Sequence, residues 1–311
     1  MRRLGALTLL LLLLGPASGC GGGGGRDDGR LHVVATTGQV GELARLVGGD
    51  LVRVTVLMGP GVDPHLYKAT FGDVERLRSA DLVAVSGLHL EAKMGEVLTR
   101  VGEHLPSVAV AEAVPPARLL APPGSDGAHD PHVWFDVALW SLAGDALRDA
   151  LIRVDPEHAA AYRANADAAR AELAALDVWC RDTLATIPPA QRVLITAHDA
   201  FAYLGHAYGL EVRGLQGIST ATEAGTGDVQ GLAAFIAERR IPAIFVETSV
   251  SRRAIDAVRA AVRARGFDVA LGGTLFSDAL GDPGTPAGTY EGTVRHNVRT
   301  IAEALGGKAA P

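Results

Sequence analysis

The stretch DPEHAAAYRANADAARAELAALDVWCRDTLATIPP, at residues 155–189, holds the longest helical pattern in this sequence. Asp155 is predicted to cap the helix, Pro156 suits its first turn, and Pro188-Pro189 ends it. The sequence therefore predicts one continuous helix over residues 156–187. Apolar side chains recur every three or four residues and so share one helix face: Tyr162, Ala166, Ala169, Leu173, Leu176, Cys180, Leu184 and Ile187.

Short β-rich runs alternate with amphipathic helical patterns on both sides of this helix, which is typical of parallel α/β structure. We therefore predict an α/β fold of two similar lobes, each with a parallel central sheet, joined by one long rigid helix that limits hinge motion. The predicted strands are residues 32–35, 53–57, 82–86 and 107–110, then 192–196, 211–213, 243–246 and 268–271. The predicted helices are residues 39–47, 71–79 and 93–101, then 200–208, 228–238, 252–264 and 292–304.

The chain divides into five predicted segments. Residues 1–20 are a predicted lipoprotein signal peptide, because two arginines and a short apolar run precede small residues and Cys20. Lipidation of Cys20 would hold the protein at the outer side of a membrane, in the periplasm or at the cell surface. The alternative is an ordinary cleaved signal peptide, and either kind of signal would export the protein. The other segments are a flexible tether at 21–30, an N-terminal lobe at 31–155, the connecting helix at 156–188 and a C-terminal lobe at 189–311.

Charge and cysteine content exclude several classes of protein. The formal net charge is −6 and there is no basic patch, so we expect no nucleic-acid partner. The chain has two cysteines, and with Cys20 in the signal region Cys180 remains alone on the apolar helix face, where we predict that it is buried. A disulfide framework and a thiolate metal site are therefore excluded, and any metal ligands must offer nitrogen or oxygen.

The tripeptide Asp-Pro-His occurs twice, at residues 63–65 and 130–132. Proline fixes the backbone before each histidine and favours an extended aspartate, so both histidines should lie on stiff loops. Each aspartate is predicted to accept a hydrogen bond from a neighbouring imidazole ring or amide. His65 and His132 thus become candidate metal ligands, whereas we predict no special role for His32, His89, His104, His158, His206 and His296.

Two further candidate ligands lie after the long helix. His198 is predicted at the carboxyl end of a strand, before a helix whose N-terminal dipole should favour the neutral, metal-binding imidazole. Asp278 follows a predicted strand and a predicted turn at Gly272-Gly273. Open α/β sheets bind ligands at such strand ends, so two ligands from each lobe should meet in a cleft that closes on its cargo. Three imidazoles and one carboxylate suit Zn²⁺ and tolerate Mn²⁺.

Six motifs together resemble one known family. They are VVATT (33–37), MGPGVDPH (58–65), DPHVW (130–134), TAHDAF (196–201), GLQGIST (214–220) and LFSDALG (275–281). In this order they resemble the zinc- and manganese-binding solute-binding proteins of ABC importers, the TroA-like group. The resemblance implies two α/β lobes joined by a rigid helix, one metal ion held by His65, His132, His198 and Asp278, delivery to an ABC permease, and a monomer that is not an enzyme.

Two departures leave the metal open as Zn²⁺ or Mn²⁺. The segment 121–129 is short and holds one histidine, unlike the His-rich loop of some zinc-binding relatives, and His198 stands where some manganese-binding relatives have glutamate. We keep Glu223 and Glu247 as candidates for supporting the ligands or the fold, and we expect Glu247, which ends an apolar strand, near the cleft. An adhesin role is one alternative, and a zinc hydrolase with Glu247 as base is another, although the chain lacks His-Glu-x-x-His and Gly-x-Ser-x-Gly motifs.

Overall fold

The structure is a computed structural model that describes residues 29–121 and 127–310. The predicted signal peptide, its Cys20, and residues 21–28 of the predicted tether lie outside the described residues. No helix within the described ranges combines the length and the apolar character that a membrane crossing needs.

The first half of the chain forms a four-stranded parallel sheet with the order β2-β1-β3-β4. Each of the four strands predicted in this half is confirmed to within one residue at either end, and β1 is buried along its whole length at the centre of the sheet. The strands are β1 (Leu31–Ala35), β2 (Val52–Val56), β3 (Leu82–Val85) and β4 (Ser107–Ala109). The helices are α1 (Gly38–Gly48), α2 (Phe71–Arg78) and α3 (Gly95–Gly102).

Helix α4 (Val137–Val154) was absent from the sequence prediction, which was wrong here. The Asp136 side chain caps it by accepting the Leu139 amide hydrogen at 2.9 Å. Its buried residues include Trp140, Ala143, Leu147 and Leu151, which recur at helical spacing. The pattern in the sequence therefore does indicate this helix.

The long predicted helix is confirmed as α5 (Ala159–Ala185), preceded by one 3-10 turn at Pro156–His158. Asp155 makes no capping bond to the backbone; its carboxylate accepts the Tyr162 hydroxyl at 2.7 Å and pairs with His158. Every residue of the predicted apolar face is buried. Burial raises the pKa of the Cys180 thiol to about 12, as expected for an inert core cysteine.

The second half of the chain forms two parallel strand pairs, β5-β6 and β7-β8, with β5 and β7 side by side. Its strands are β5 (Val193–His198), β6 (Glu211–Gln216), β7 (Ala243–Glu247) and β8 (Ala270–Leu275). Its helices are α6 (Ala202–Tyr208), α7 (Thr226–Arg239), α8 (Arg253–Arg263) and α9 (Tyr290–Ala304).

The predicted turn at Gly272-Gly273 is wrong, because β8 continues through both glycines. The pairing with β7 shifts its register here, between Ile244 and Phe245. Gly273 has φ of +141°, and a Cβ on Gly272 would lie 2.6 Å from a Phe245 ring atom. The two glycines therefore allow a β-bulge under the aromatic ring, and the strand reaches four residues closer to Asp278 than the prediction placed it.

One apolar core joins the two halves around α5. Helices α1 and α4 from the first half and α9 from the second all pack against α5. Leu43, Leu147, Leu176 and Ile301, one from each of these helices, belong to the same buried cluster. Rotation of one half against the other would expose this apolar surface to water, so we expect hinge motion to be limited.

Candidate metal centre

Four buried side chains, those of His65, His132, His198 and Asp278, offer ligand atoms that all lie within 4.8 Å of one another. The Nε2 atoms of His65 and His132 are 3.2 Å apart. Asp278 places its carboxylate oxygens 3.4 Å from the His132 Nε2 and 3.3 Å from the His198 Nε2. The structure thus brings together all four residues that the sequence singled out.

These side chains come from four separate places in the chain. His65 lies in the loop between β2 and α2, and His132 directly precedes a 3-10 turn at Val133–Phe135 that leads into α4. His198 is the last residue of β5, and Asp278 follows β8. Three of the four positions therefore lie at or after the carboxyl end of a strand, where parallel sheets bind their ligands.

The aspartates of the two Asp-Pro-His repeats have different partners. Asp63 and Asp130 each accept the amide hydrogen of their own histidine at 2.9 Å, which confirms the predicted hydrogen bonding. Asp130 also binds the Nδ1 of the His132 ring at 2.7 Å. Asp63 instead uses its second oxygen to accept the Thr220 hydroxyl at 2.5 Å. Only His132 therefore has its ring oriented by its own repeat.

Glu247, an acid whose role the sequence left open, orients His198. Its Oε2 accepts a hydrogen bond from His198 Nδ1 at 2.6 Å, and its Oε1 accepts the amide hydrogens of Ala197 and His198 at 2.7 and 3.0 Å. A proton on Nδ1 leaves the lone pair of Nε2 facing the cluster, as a metal ligand requires. Glu223, by contrast, is exposed and only lines a cavity beside the cluster.

Two side chains with no role predicted from the sequence hold Asp278 and the backbone of its neighbour Ser277. The Ser249 hydroxyl donates to Asp278 Oδ2 at 3.2 Å. The indole of Trp134, which follows the second Asp-Pro-His repeat, donates to the Ser277 carbonyl at 3.1 Å. No sequence signal marks Ser249, because its role depends on the β7 and β8 ends lying side by side.

The pKa values of the cluster reflect its burial and its charges. Burial and the neighbouring His132 lower the pKa of His65 to about 3. Burial opposes protonation of His132, but Asp130 and Asp278 outweigh it and raise its pKa to about 9. Glu247 and Asp278 likewise raise the pKa of His198 against its burial, which opposes the effect expected from the helix dipole. His198 and His132 hold the pKa of Asp278 well below its usual range despite its burial.

Two atoms of the cluster are buried without a hydrogen-bond partner among the described residues: His198 Nε2 and Asp278 Oδ1. Buried polar atoms in folded proteins are nearly always paired, so an unpaired nitrogen and oxygen facing one point need a partner. A divalent cation accepts electron pairs from both. The donor set, three imidazole nitrogens and a carboxylate, fits a first-row transition metal such as Zn²⁺.

We expect zinc affinity to fall as the pH is lowered from about 8 to about 6, because a bound cation excludes protons from the same nitrogens. The carboxylates that raise the pKa values of His132 and His198 favour protonation of the metal-free site, so protons compete with zinc. The dissociation constant should rise about tenfold per pH unit for each proton that zinc displaces. Chelator competition at several pH values measures this slope, and a flat profile would contradict a histidine-rich site.

Two α/β halves, joined by a long helix and enclosing a buried cluster of metal-binding side chains, define a solute-binding receptor for a metal ion. The chain belongs to the ZnuA family, described as the periplasmic component A of a zinc-uptake complex, whose profile matches residues 33–304. The resemblance noted from the sequence motifs is thereby confirmed.

Relatives in this family have been named for different metals. The chain is 48% identical over 305 residues to the manganese-binding lipoprotein MntA of Bacillus subtilis (strain 168), covering 97% of this chain and 99% of that protein. It is 46% identical over 304 residues to the zinc-binding protein TroA of Treponema pallidum (strain Nichols), covering 97% and 98%. The solved structure of the periplasmic zinc-binding protein TroA from Treponema pallidum matches with a TM-score of 0.87 at 48% identity, covering 89% of this chain and 99% of that one.

Proposed function

We propose that this protein is the extracytoplasmic receptor of an ABC importer, which binds one Zn²⁺ or Mn²⁺ ion and delivers it to the membrane permease. The observation that carries the proposal is the buried convergence of three imidazoles and one carboxylate within 4.8 Å. His65, His132, His198 and Asp278 act as the ligands. The names of the relatives, a manganese-binding lipoprotein and a zinc-binding protein, support a cation of this class.

The donor set favours Zn²⁺ in affinity. Nitrogen-rich sites bind Zn²⁺ more tightly than Mn²⁺ in the usual order of divalent metals, whereas carboxylates and water suit Mn²⁺. Affinity alone does not fix which ion is imported, since metal availability in the cell also decides what the site binds. We therefore keep both ions as cargo and predict that Zn²⁺ binds more tightly than Mn²⁺.

The receptor is anchored to the membrane through lipidated Cys20 and acts as a monomer. Two named relatives, MntA and the substrate-binding protein SsaB of Streptococcus sanguinis, are described as lipoproteins, which supports this anchor. We retain the predicted division into lobes at 31–155 and 189–311 with the connecting helix at 156–188. Its support is that the four-stranded sheet lies before α5 and both strand pairs lie after it.

A zinc hydrolase would use the same histidines with Glu247 as general base. Both carboxylate oxygens of Glu247 are already engaged, one by the His198 ring and the other by two backbone amides. Glu247 is also 5% exposed, so it has no free oxygen to accept a proton from water. This arrangement supports a binding site rather than a catalytic one. No described contact favours the adhesin alternative, which stays a prediction.

Metal titration of the metal-stripped protein tests the proposed function. We expect one equivalent of Zn²⁺ or Mn²⁺ to bind by calorimetry, Zn²⁺ to displace Mn²⁺, and an excess of Mg²⁺, which prefers oxygen ligands, to displace neither. Free metal at about 1,000 times its dissociation constant should stabilise the fold by about 4 kcal/mol and raise the melting temperature. Elemental analysis of protein from its native host then identifies the imported ion. Absence of any tight first-row binding would refute the receptor assignment.

A further inference from the structure

The loop that carries His132 is bound firmly to the second half of the molecule. The Tyr203 hydroxyl of α6 donates to the Asp130 carbonyl at 3.2 Å and accepts the Leu120 amide hydrogen at 3.0 Å. The Tyr290 hydroxyl of α9 donates to the Trp134 carbonyl at 2.6 Å. These bonds flank His132 on both sides along the chain, so they fix its backbone relative to α6 and α9.

Aromatic packing adds to this attachment. Phe135 stacks on Phe201 with ring centroids 4.4 Å apart, and both rings are buried. The Trp134 indole, as described above, reaches across to the carbonyl of Ser277. His132 therefore moves with the second half of the molecule, which also carries His198 and Asp278, and three of the four ligands form one rigid unit.

His65 is attached differently. Its ring Nδ1 makes no hydrogen bond within the described ranges, whereas Asp130 and Glu247 orient the rings of His132 and His198. Within the same ranges, one hydrogen bond joins the loop at 57–70 to the second half, from the Thr220 hydroxyl to Asp63 Oδ2 at 2.5 Å. Thr220 is 8% exposed, in the connection between β6 and α7.

A cavity of about 410 Å³ lies beside this hydrogen bond. Asp63, Thr220 and Ser249 line it, and Ser249 also donates to the Asp278 carboxylate. Exposed Leu66 and Glu223 line the same cavity, so it extends to the surface of the molecule. The hydrogen bond between Thr220 and Asp63 therefore lies at the wall of a cavity that is open to solvent.

We propose that the Thr220–Asp63 hydrogen bond is a latch that holds the His65 loop over bound metal, and that the ion leaves when this loop swings away. His132, His198 and Asp278 stay in place during this motion. The inference rests on the proposed function. The sequence predicted a closure in which two ligands approach from each lobe, whereas here three ligands are fixed and one is mobile. Thr220 is thus a positioning residue that acts on the metal through Asp63 and His65.

The test compares three variants in the loop at 217–225. Thr220→Val removes the donor while keeping the shape, and Thr220→Ser restores the hydroxyl. Thr222→Val makes the same chemical change at an exposed position of the same loop and serves as the control. Stopped-flow mixing of the Zn²⁺-loaded full chain with excess chelator gives the dissociation rate, and the Co²⁺ absorption spectrum reports the ligand set.

We expect Thr220→Val to raise the dissociation rate about tenfold or more, because the lost bond has a charged acceptor. Thr220→Ser and Thr222→Val should stay within about twofold of wild type, and all Co²⁺ spectra should match because every ligand remains. An unchanged rate in Thr220→Val, or an equal increase in Thr222→Val, would overturn the latch while leaving the receptor assignment intact. A wild-type protein that retains no Zn²⁺ would overturn both.

Discussion

Replacing His198 by alanine should weaken zinc binding by more than about 100-fold, beyond the range seen when only a hydrogen-bonding partner of a ligand is lost. The change removes one of three imidazoles and leaves the Glu247 carboxylate buried without its ring partner. Water cannot easily replace the imidazole, because His198 is fully buried at the end of β5. Calorimetry or chelator competition with Zn²⁺ measures the dissociation constant.

His206→Ala is the matched control for this prediction. His206 lies in α6, only eight residues along the chain from His198, but it is exposed and takes no part in the cluster. Its removal should leave the dissociation constant at the wild-type value. Equal affinities in His198→Ala and wild type would show that His198 is not a ligand, and circular dichroism of both variants checks that the fold is retained.

Replacing Glu247 by glutamine should weaken zinc binding by about 10- to 100-fold although no ligand is removed. Glutamine has one acceptor oxygen where glutamate has two, so it cannot accept both the His198 ring and the backbone amides of Ala197 and His198. The ring then loses the partner that holds its proton on Nδ1, and the buried negative charge that favours a cation is lost as well.

Glu238→Gln provides the control, because Glu238 is an exposed residue of α7 that is remote from the cluster. Both variants lose one negative charge, so any general effect of net charge appears in each. A dissociation constant for Glu247→Gln that equals that of Glu238→Gln would mean that the carboxylate does not support the site. Comparison with His198→Ala separates the loss of a ligand from the loss of its orientation.

Much of the fold could be predicted because its signals are local. Strand β1 and helix α5 are marked by apolar runs, spacing and proline boundaries that each lie within a few residues. The prediction at Gly272-Gly273 was wrong because the deciding contact is not local. Two glycines indicate a turn or a bulge equally well, and the choice depended on Phe245 in the neighbouring strand, which the local sequence does not reveal.

The sequence by itself determined which side chains could bind a metal. The repeated Asp-Pro-His units, a histidine at a strand end and an aspartate in a loop are recognisable because residue type and local backbone decide the available donor atoms. The absence of any cysteine beyond Cys20 and Cys180 likewise excluded a thiolate site without reference to the fold.

Only the tertiary structure decided how those donors are held. Glu247 meets His198 and Thr220 meets Asp63 across 49 and 157 positions of sequence, so no local pattern could pair them. The division into three fixed ligands and one on a latched loop also depends on Tyr203, Tyr290 and Trp134 packing across the two halves. Hydrogen bonds between distant segments form only once the whole chain has folded, and they fix which ligands can move.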